Sequence, residues 1–557
     1  MKRIASFLAV ALLGMTLATG CIEQIDPQNS TVTVNQAGNA PGSFDNFVGA
    51  LTSTLAGQFF YSGSDERPWD YGYSSFYLQR DVMGQDIVLA ESGGNNWYTT
   101  WYCCDTGLGP RYAVCQLPWT YYYKWIDNCN TVIRMGGSEP SDMQRSGVGM
   151  AYAMRAMFYM DMARMFAQKT YGLDKSAETV PIVTERTIDV AHNPRATNED
   201  MWAFIIDDLD KAEALLDGYV RTDVYTPDLS VVYGLKARAF LTMEEWANAE
   251  KYAKLAQEGY MPMTEAQYTS RETGFNTPNG SWMMGLTFRA DDPNILNNDA
   301  DSSWGSWMCI EINPDVSGCG YASNYGQPMS IDRHLYETIP ATDFRRKCFV
   351  DFSLDDMPKA QAVEALAEYS DYPEWVYETG YGRAEGFLGG LSLKFRVAGG
   401  AAGHDNQYIG FVVAVPMMRV EEMYLIEAEA AGMQDAGRGQ QLLTAFALTR
   451  DPGFVYGQHN EAYGNGSTAP IQNECWWQRR VEFWGEGLAT FDIKRLNKGI
   501  IRSYAGTNHL EGFRWNTGTP PEWMNLCIVE TETKYNVSCT NNPTPIQPSS
   551  ESPEYIW

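Results

Sequence analysis

Two short runs gather side chains suited to a wet, ring-shaped ligand. In the first, Asn95-Asn96-Trp97-Tyr98-Thr99-Thr100-Trp101-Tyr102 follows Arg80-Asp81. In the second, Trp304, Trp307, Tyr321 and Tyr325, with Trp282 upstream, stand among Asn297, Asn298, Asp299, Asp301 and Asn324. Indole and phenol offer flat apolar faces, while amides, carboxylates and guanidinium supply donors and acceptors around them. A pyranose has the complementary shape, with an apolar C–H face and a rim of hydroxyls. Covering roughly 60 to 100 Å² of such a face contributes about 2 kcal/mol per ring at roughly 25 cal/mol/Å². Two or three platforms, less the ordering cost, give affinities of roughly micromolar to millimolar. The candidate contact residues are Arg80, Asn96, Trp97, Tyr98, Trp101, Trp304, Trp307 and Tyr321. Core packing competes for each tryptophan taken singly; clustering with Asn and Gly distinguishes these two groups.

Other chemistries fit less well. No G-x-S-x-G, H-E-x-x-H or phosphate loop occurs. Acids are abundant, but abundance is not the pair at defined separation that glycoside hydrolysis requires, so a glycoside hydrolase is a lesser alternative. Asp291-Asp292, Asp299 and Asp301 could offer oxygen ligands to calcium, yet the EF-hand spacing is missing and a solvated acidic loop is the simpler reading. No metal and no cofactor is expected. Of the 11 cysteines, Cys309 with Cys319 and Cys527 with Cys539 are near enough to close small loops, and Cys103-Cys104 is vicinal with Cys115 and Cys129 nearby. Structural disulfides or buried free thiols are expected rather than zinc, because there are five histidines and no C-x-x-C. A net charge of −28 with no Lys/Arg cluster excludes nucleic acid as a partner.

The elements that must hold these groups are mostly helical. Val148 to Phe166 places Tyr152, Ala156, Tyr159, Ala163 and Phe166 on one face and methionines over much of the rest, a helix apolar on most sides that must be buried between others. Glu199 to Leu216 follows, begun by Asn198, with Trp202, Ile205, Leu209 and Ala212 at three- and four-residue steps. Leu229 to Leu241 and Glu244 to Glu258 make a pair about Thr242, with Ala239, Ala249, Ala253 and Ala256 permitting close approach and Trp246 filling the wider end. This is the logic of a tetratricopeptide hairpin. From Tyr260 to Val415 periodicity is weak apart from Ala360 to Tyr369, and Gly, Asn, Asp, Pro, Trp and Tyr dominate. A stretch that long is no passive connection, and an irregular insertion on a rigid scaffold is where binding chemistry belongs.

Two further motifs lie near the end. Pro416-Met-Met-Arg419 precedes Val420, Met423, Ile426 and Ala430 along one face of an amphipathic helix, through Glu427-Ala428-Glu429-Ala430. Glu474 to Leu496 carries Arg479, Arg480, Glu482, Glu486, Gly487, Phe491, Asp492 and Arg495. Physics alone reads that run as a surface helix with an Arg479–Glu482 ion pair at i,i+3 and a glycine exit. The order of residues resembles the SusD/RagB family, in which an Arg-Arg-x-Glu helix runs into Glu-Gly and then Phe-Asp-x-(Lys/Arg)-Arg, about 60 residues after a Pro-x-x-Arg turn opening a helix that ends in Ala-Glu-Ala. Tyr121 to Arg134, the Ala151 to Phe166 helix followed by Pro181, and Asp343-Phe344-Arg345 resemble other family landmarks. One departure is Ala489, where the family usually has arginine.

At the other end, Lys2-Arg3, an apolar Ile4 to Leu17 and Leu17-Ala-Thr-Gly20 lead into Cys21, the pattern of a lipoprotein signal with acylation at Cys21. Glu23 and Asp26 behind it resemble the surface-export signal of lipoproteins that carry this family. The resemblance implies a mostly α fold, a tetratricopeptide-like helical-repeat scaffold with a long irregular loop-rich insertion as ligand lobe. Residues 1–20 read as signal peptide, 21–45 as lipidated tether and 46–557 as the SusD-like domain. Within it the scaffold covers about 46–260 and 415–500, the lobe about 261–414 and a polar C-terminal segment about 501–557. It also implies a non-catalytic glycan-binding lipoprotein on the outer face of the outer membrane, serving a SusC-like TonB-dependent transporter. A peptide-binding, RagB-like uptake protein is the alternative; a non-binding helical scaffold ranks lower.

Overall fold

Helix–turn–helix pairs carry much of the chain, each opened and closed by local chemistry. The computed structural model describes residues 42–59, 67–91, 95–316, 320–354, 357–380, 389–459 and 467–557; the leader with Cys21, and Cys319, lie outside them. Helix Ala113–Gly136 stops at Gly137, where φ is +67°, and a Ser141/Gln144 capping box opens Asp142–Phe166. The latter is buried along most of its length, as its apolar circumference requires, and packs between Ala113–Gly136 and Asn198–Leu216. Arg155 clamps the next helix through Asp208, with Nε and Nη2 donating to the two carboxylate oxygens at 2.8 Å each. Leu229–Thr242 and Trp246–Ala256 form the following pair, with Ala239, Ala249, Ala253 and Ala256 fully buried between them. Trp246–Ala256 then leans on Val420–Gln434, which pairs with Ala436–Ala447 and touches Pro470–Glu482. Blocks far apart in sequence thus join one helical array.

Three local expectations change. Thr197, not Asn198, caps Asn198–Leu216 by accepting from Asp200 N; Asn198 turns its amide onto the carbonyls of Lys169 and Asp174 instead. Pro416 sits inside a strand, Ala414–Arg419, rather than in a turn. Val420–Gln434 is not amphipathic, for Glu421, Glu422 and Glu429 are as buried as its apolar face.

The irregular region is stitched to the array by two short antiparallel pairs. Trp282–Thr287 pairs with Ala414–Arg419, and Met329–Ile331 pairs with Ile87–Leu89. The region also has a core of its own, in which Ile310, Val350, Leu366, Val376 and Leu393 are buried together. Cys309, Cys527 and Cys539 are free and buried, as are Cys103, Cys104, Cys115 and Cys129. The Cys527–Cys539 loop is therefore not closed by a bridge.

The residues of the C-terminal signature are the charged heart of the fold. Pro470–Glu482 is buried on every side, which overturns the surface-helix reading. Arg479 pairs with Asp492 (2.6 Å) and Glu422 (3.4 Å). Arg480 grips Asp86 (2.6 Å), and Arg495 joins Asp492 (2.7 Å) to Glu429 (2.6 Å). Glu482 faces three guanidinium groups, Arg419 at 3.0 Å, Arg345 at 3.2 Å and Arg450 at 3.3 Å. Glu486 takes Lys394 (2.7 Å) and Arg419 (2.9 Å). Buried charges are tolerable only when paired and hydrogen-bonded, and here each finds partners from distant segments.

Gly487 and Ala489 explain themselves in this setting. Gly487 has φ +77°, and an added Cβ would lie 2.6 Å from Tyr77 Cα. Gly487→Ala is expected to cost about 2–3 kcal/mol, from the left-handed backbone and the contact together, read by denaturant unfolding. The Asp81 carboxylate accepts from Gly487 N (2.9 Å) and from the Ala489 amide. Burial pushes this carboxyl up to about 7, despite those amides and Arg80. Between its ordinary value and about 7 the folded state therefore holds a proton that the unfolded chain has released, so this group makes stability fall as pH rises. Asp81→Asn is expected to flatten the loss of melting temperature between about pH 5 and about pH 8.

Candidate functional site

Strand register brings the two aromatic runs of the sequence to one place. Ile87 stands opposite Ile331 and Leu89 opposite Met329. Carried two residues further, that register sets Glu91 against Gln327, and Gln327 Nε2 donates to Glu91 Oε1 at 2.7 Å. Ser303 caps the short helix Trp304–Met308, and Ser306 Oγ accepts from Tyr321 N at 2.9 Å, laying the Tyr321 segment over that helix. Trp307 Nε1 donates to Pro68 O at 3.0 Å and Ser302 Oγ to Arg67 O at 3.1 Å, so the segment before Trp69 is held against the same helix.

The result is a stack of three rings. Trp307 and Tyr321 lie 4.4 Å apart and 4° from parallel, and Tyr325 stacks on Tyr321 at 4.8 Å and 28°. Exposure rises along the stack, from 0% at Trp307 to 6% at Tyr321 and 36% at Tyr325. Tyr98 meets Trp307 edge-on at 4.9 Å, and Trp69 meets Trp97 edge-on at 5.5 Å. Half-buried Trp97 lies beside the Tyr321 hydroxyl, although its indole N–H completes no hydrogen bond of normal geometry. Asn96 Nδ2, Gln327 Oε1 and Asp301 Oδ1 are likewise buried without a hydrogen-bond partner.

Two carboxylates hold the outer tyrosines. Asp301 accepts from the Tyr325 hydroxyl and from the Gly320 amide. Burial, with Asp299 adding to it, pushes the Asp301 carboxyl up to about 7. Asp299, at φ +56°, accepts from the hydroxyl of Tyr408 at 2.9 Å, and Tyr408 is 38% exposed. Of the four aspartates weighed as oxygen ligands for calcium, Asp299 and Asp301 serve tyrosines and Asp292 accepts from Arg289 N at 2.7 Å; among the described residues no three acidic, His or Cys groups converge as a metal site.

The predicted contact residues divide into two sets. Asn96, Trp97, Trp307 and Tyr321 belong to the stack or border it. Arg80, Tyr98, Trp101 and Trp304 lie inside the protein, as fully buried as Asn96 and Trp307 of the first set. Arg80 Nε donates to Gly487 O (2.9 Å), and its guanidinium covers Phe491 at 4.7 Å. Tyr98 shares a short hydrogen bond with Tyr71, Trp101 packs on Trp69 at 5.9 Å, and Trp304 packs on Phe395 at 5.1 Å. Trp282 is a core residue of its strand. Sequence reasoning passed over Trp69, although Trp69-Asp70-Tyr71-Gly72-Tyr73 carries the same aromatic and polar mixture. No local signal marks Gln327 or Tyr408, which reach the site through strand register and the turn at Asn406.

Residues 80–241 match the family model SusD-like_3, described as starch-binding associating with outer membrane. Comparison with curated proteins finds no match. Among solved structures, a SusD-like carbohydrate binding protein from Bacteroides vulgatus superposes with a TM-score of 0.66 at 20% identity, over 89% of this chain and 97% of its own. A SusD superfamily protein from Bacteroides thetaiotaomicron gives 0.64 at 18% identity, over 92% and 100%. A surface glycan-binding protein A from Bacteroides thetaiotaomicron, solved with laminarihexaose, gives 0.61 at 15% identity, over 91% and 99%. The family match over residues 80–241, with a fold shared along nearly the whole length of solved SusD-like structures, gives the chain a SusD-like fold.

Proposed function

We propose that the protein is a non-catalytic, lipid-anchored glycan-binding protein that captures oligosaccharide at the outer face of the outer membrane and passes it to a SusC-like TonB-dependent transporter. The observation that carries the binding half is the Trp307–Tyr321–Tyr325 stack with partnerless polar atoms of Asn96, Trp97, Gln327 and Asp301 around it. A sugar laid on Tyr325 would cover its exposed face, and its hydroxyls would supply the hydrogen bonds that those atoms lack. The nearby acids are engaged in holding rings, Asp301 on Tyr325 and Asp299 on Tyr408, which favours binding over general acid–base work.

The outer-membrane half rests on the family description and on the Lys2 to Cys21 leader. Among the described residues no helix is long and apolar enough to cross a membrane, which leaves the acyl group on Cys21 as the proposed attachment. Calorimetric titration of the protein truncated after Cys21 against polysaccharides and peptides tests the binding half. Binding of peptides alone would move the assignment to peptide uptake. Copurification from native membranes under mild solubilisation tests the transporter half, and repeated absence of a TonB-dependent barrel would contradict it.

A further inference from the structure

We infer that the site selects uncharged sugars over polyanionic ones, and that Asp301 is the residue that sets this choice. The inference rests on the glycan-binding reading and narrows its substrate class. Asp301 is 2% exposed, yet it stands beside the most exposed ring of the stack and is tied to it through the Tyr325 hydroxyl. Its Oδ1 has no hydrogen-bond partner. When ionised, that oxygen only accepts, so the group that completes it must donate the hydrogen bond. The hydroxyl of a neutral sugar does so, and the bond is strengthened by the charge it meets. A uronate or a sulfate ester presents acceptors and negative charge to the same atom.

Neighbouring acids add to that bias at Asp301. Asp299 raises the cost of charge at Asp301, and Glu91 is held by Gln327. Among the described residues of 67–102 and 289–330, from which the site is built, Lys is absent and the basic residues are Arg67, Arg80 and Arg289. Arg80 is buried against Asp161 at 3.6 Å. Arg289 acts on Asp292. Arg67, half-buried with an Nε that has no hydrogen-bond partner, is not among the groups that act on Asp301, which are Asp299, Tyr325 and the Gly320 amide. At Asp301 a polyanion therefore meets an acceptor and like charge, where a neutral glycan meets a waiting acceptor.

The test is calorimetry on the chain truncated after Cys21, with starch, laminarin, xylan and mannan as neutral probes and polygalacturonate, alginate and chondroitin sulfate as anionic ones. Each is titrated at about 20 mM and about 150 mM salt, a range over which repulsion between exposed charges is progressively screened. The expected result is binding of at least one neutral glycan at least tenfold tighter than any anionic one, with residual anionic binding strengthening as salt rises. Asp301→Asn should weaken the neutral glycan about tenfold and shrink the neutral-to-anionic ratio; Asp301→Glu should keep the exclusion. Asp299→Asn, at an exposed position, should shrink the ratio by a smaller factor and serves if Asp301→Asn does not fold. A polyanion bound as tightly as the best neutral glycan, with affinity falling as salt rises, overturns the inference and leaves the glycan-binding reading standing. An unchanged ratio in folded Asp301→Asn likewise overturns the role of Asp301. Binding to none of these glycans overturns the underlying reading and the inference together.

Discussion

Glu482→Gln is expected to destabilise the protein by about 3–5 kcal/mol or more, a large part of the roughly 5–15 kcal/mol that holds a domain folded. The carboxylate is fully buried and faces Arg345, Arg419 and Arg450, contributed by three separate segments. Burial alone would raise its pKa, but Arg450, Arg419 and Arg345 outweigh that and hold it well below the usual carboxylate range. Neutralising it leaves those guanidinium groups with the remaining carboxylates only, and the excess positive charge has no water to relax into. Urea unfolding followed by tryptophan fluorescence reads the loss. Glu265→Gln is the control, because its pair with Lys347 is more than half exposed on both sides and is worth less than about 1 kcal/mol. The sign with pH follows. A carboxyl depressed in the folded state stabilises it above the unfolded value near 4.5, and that contribution is lost as pH falls below it. Acid should therefore unfold the wild type over a range where Glu482→Gln, already weakened, has less left to lose.

The second large effect is on binding. Tyr325→Ala should weaken glycan affinity at least tenfold, and Tyr321→Ala at least as much, because each removes a ring from the stack and the latter also removes the ring on which Tyr325 stacks. A ring covered by sugar contributes about 2 kcal/mol, and about 1.4 kcal/mol is tenfold. Trp97→Ala should fall in the same range, since its half-buried indole flanks the Tyr321 hydroxyl. Trp304→Ala should act differently. It empties a core position against Tyr77 and Phe395, so about 3–5 kcal/mol of stability is expected to go, with affinity per folded molecule little changed.

What the sequence makes legible here is periodic or local. The helix from Val148 to Phe166 announces its burial by being apolar on most sides, and the alanines of the Leu229–Ala256 pair announce a close crossing. Charge pairing is not legible: Arg479 and Glu482 have the spacing of an i,i+3 pair, yet Arg479 turns to Asp492 and Glu422 while Glu482 turns to Arg345, Arg419 and Arg450. Those partners come from segments that no spacing rule connects. The site shows the same limit. That Asn95–Tyr102 and Trp304–Tyr325 would converge follows from a three-residue strand pair that neither run contains. Residue type alone also cannot separate Trp97, half-buried at the edge, from Trp101, sealed against Trp69, because both indoles sit in the same aromatic run. Burial is decided by the neighbours, and the neighbours are distant in sequence.

The measurement that tests the account most directly is a titration of the truncated wild type, Trp97→Ala, Tyr321→Ala and Tyr325→Ala with the neutral glycan bound most tightly in the panel, each variant first checked by circular dichroism. The account predicts micromolar to millimolar binding by the wild type and at least a tenfold loss in each folded variant. Wild-type affinity retained in all three folded variants would contradict it and place the glycan site away from this stack.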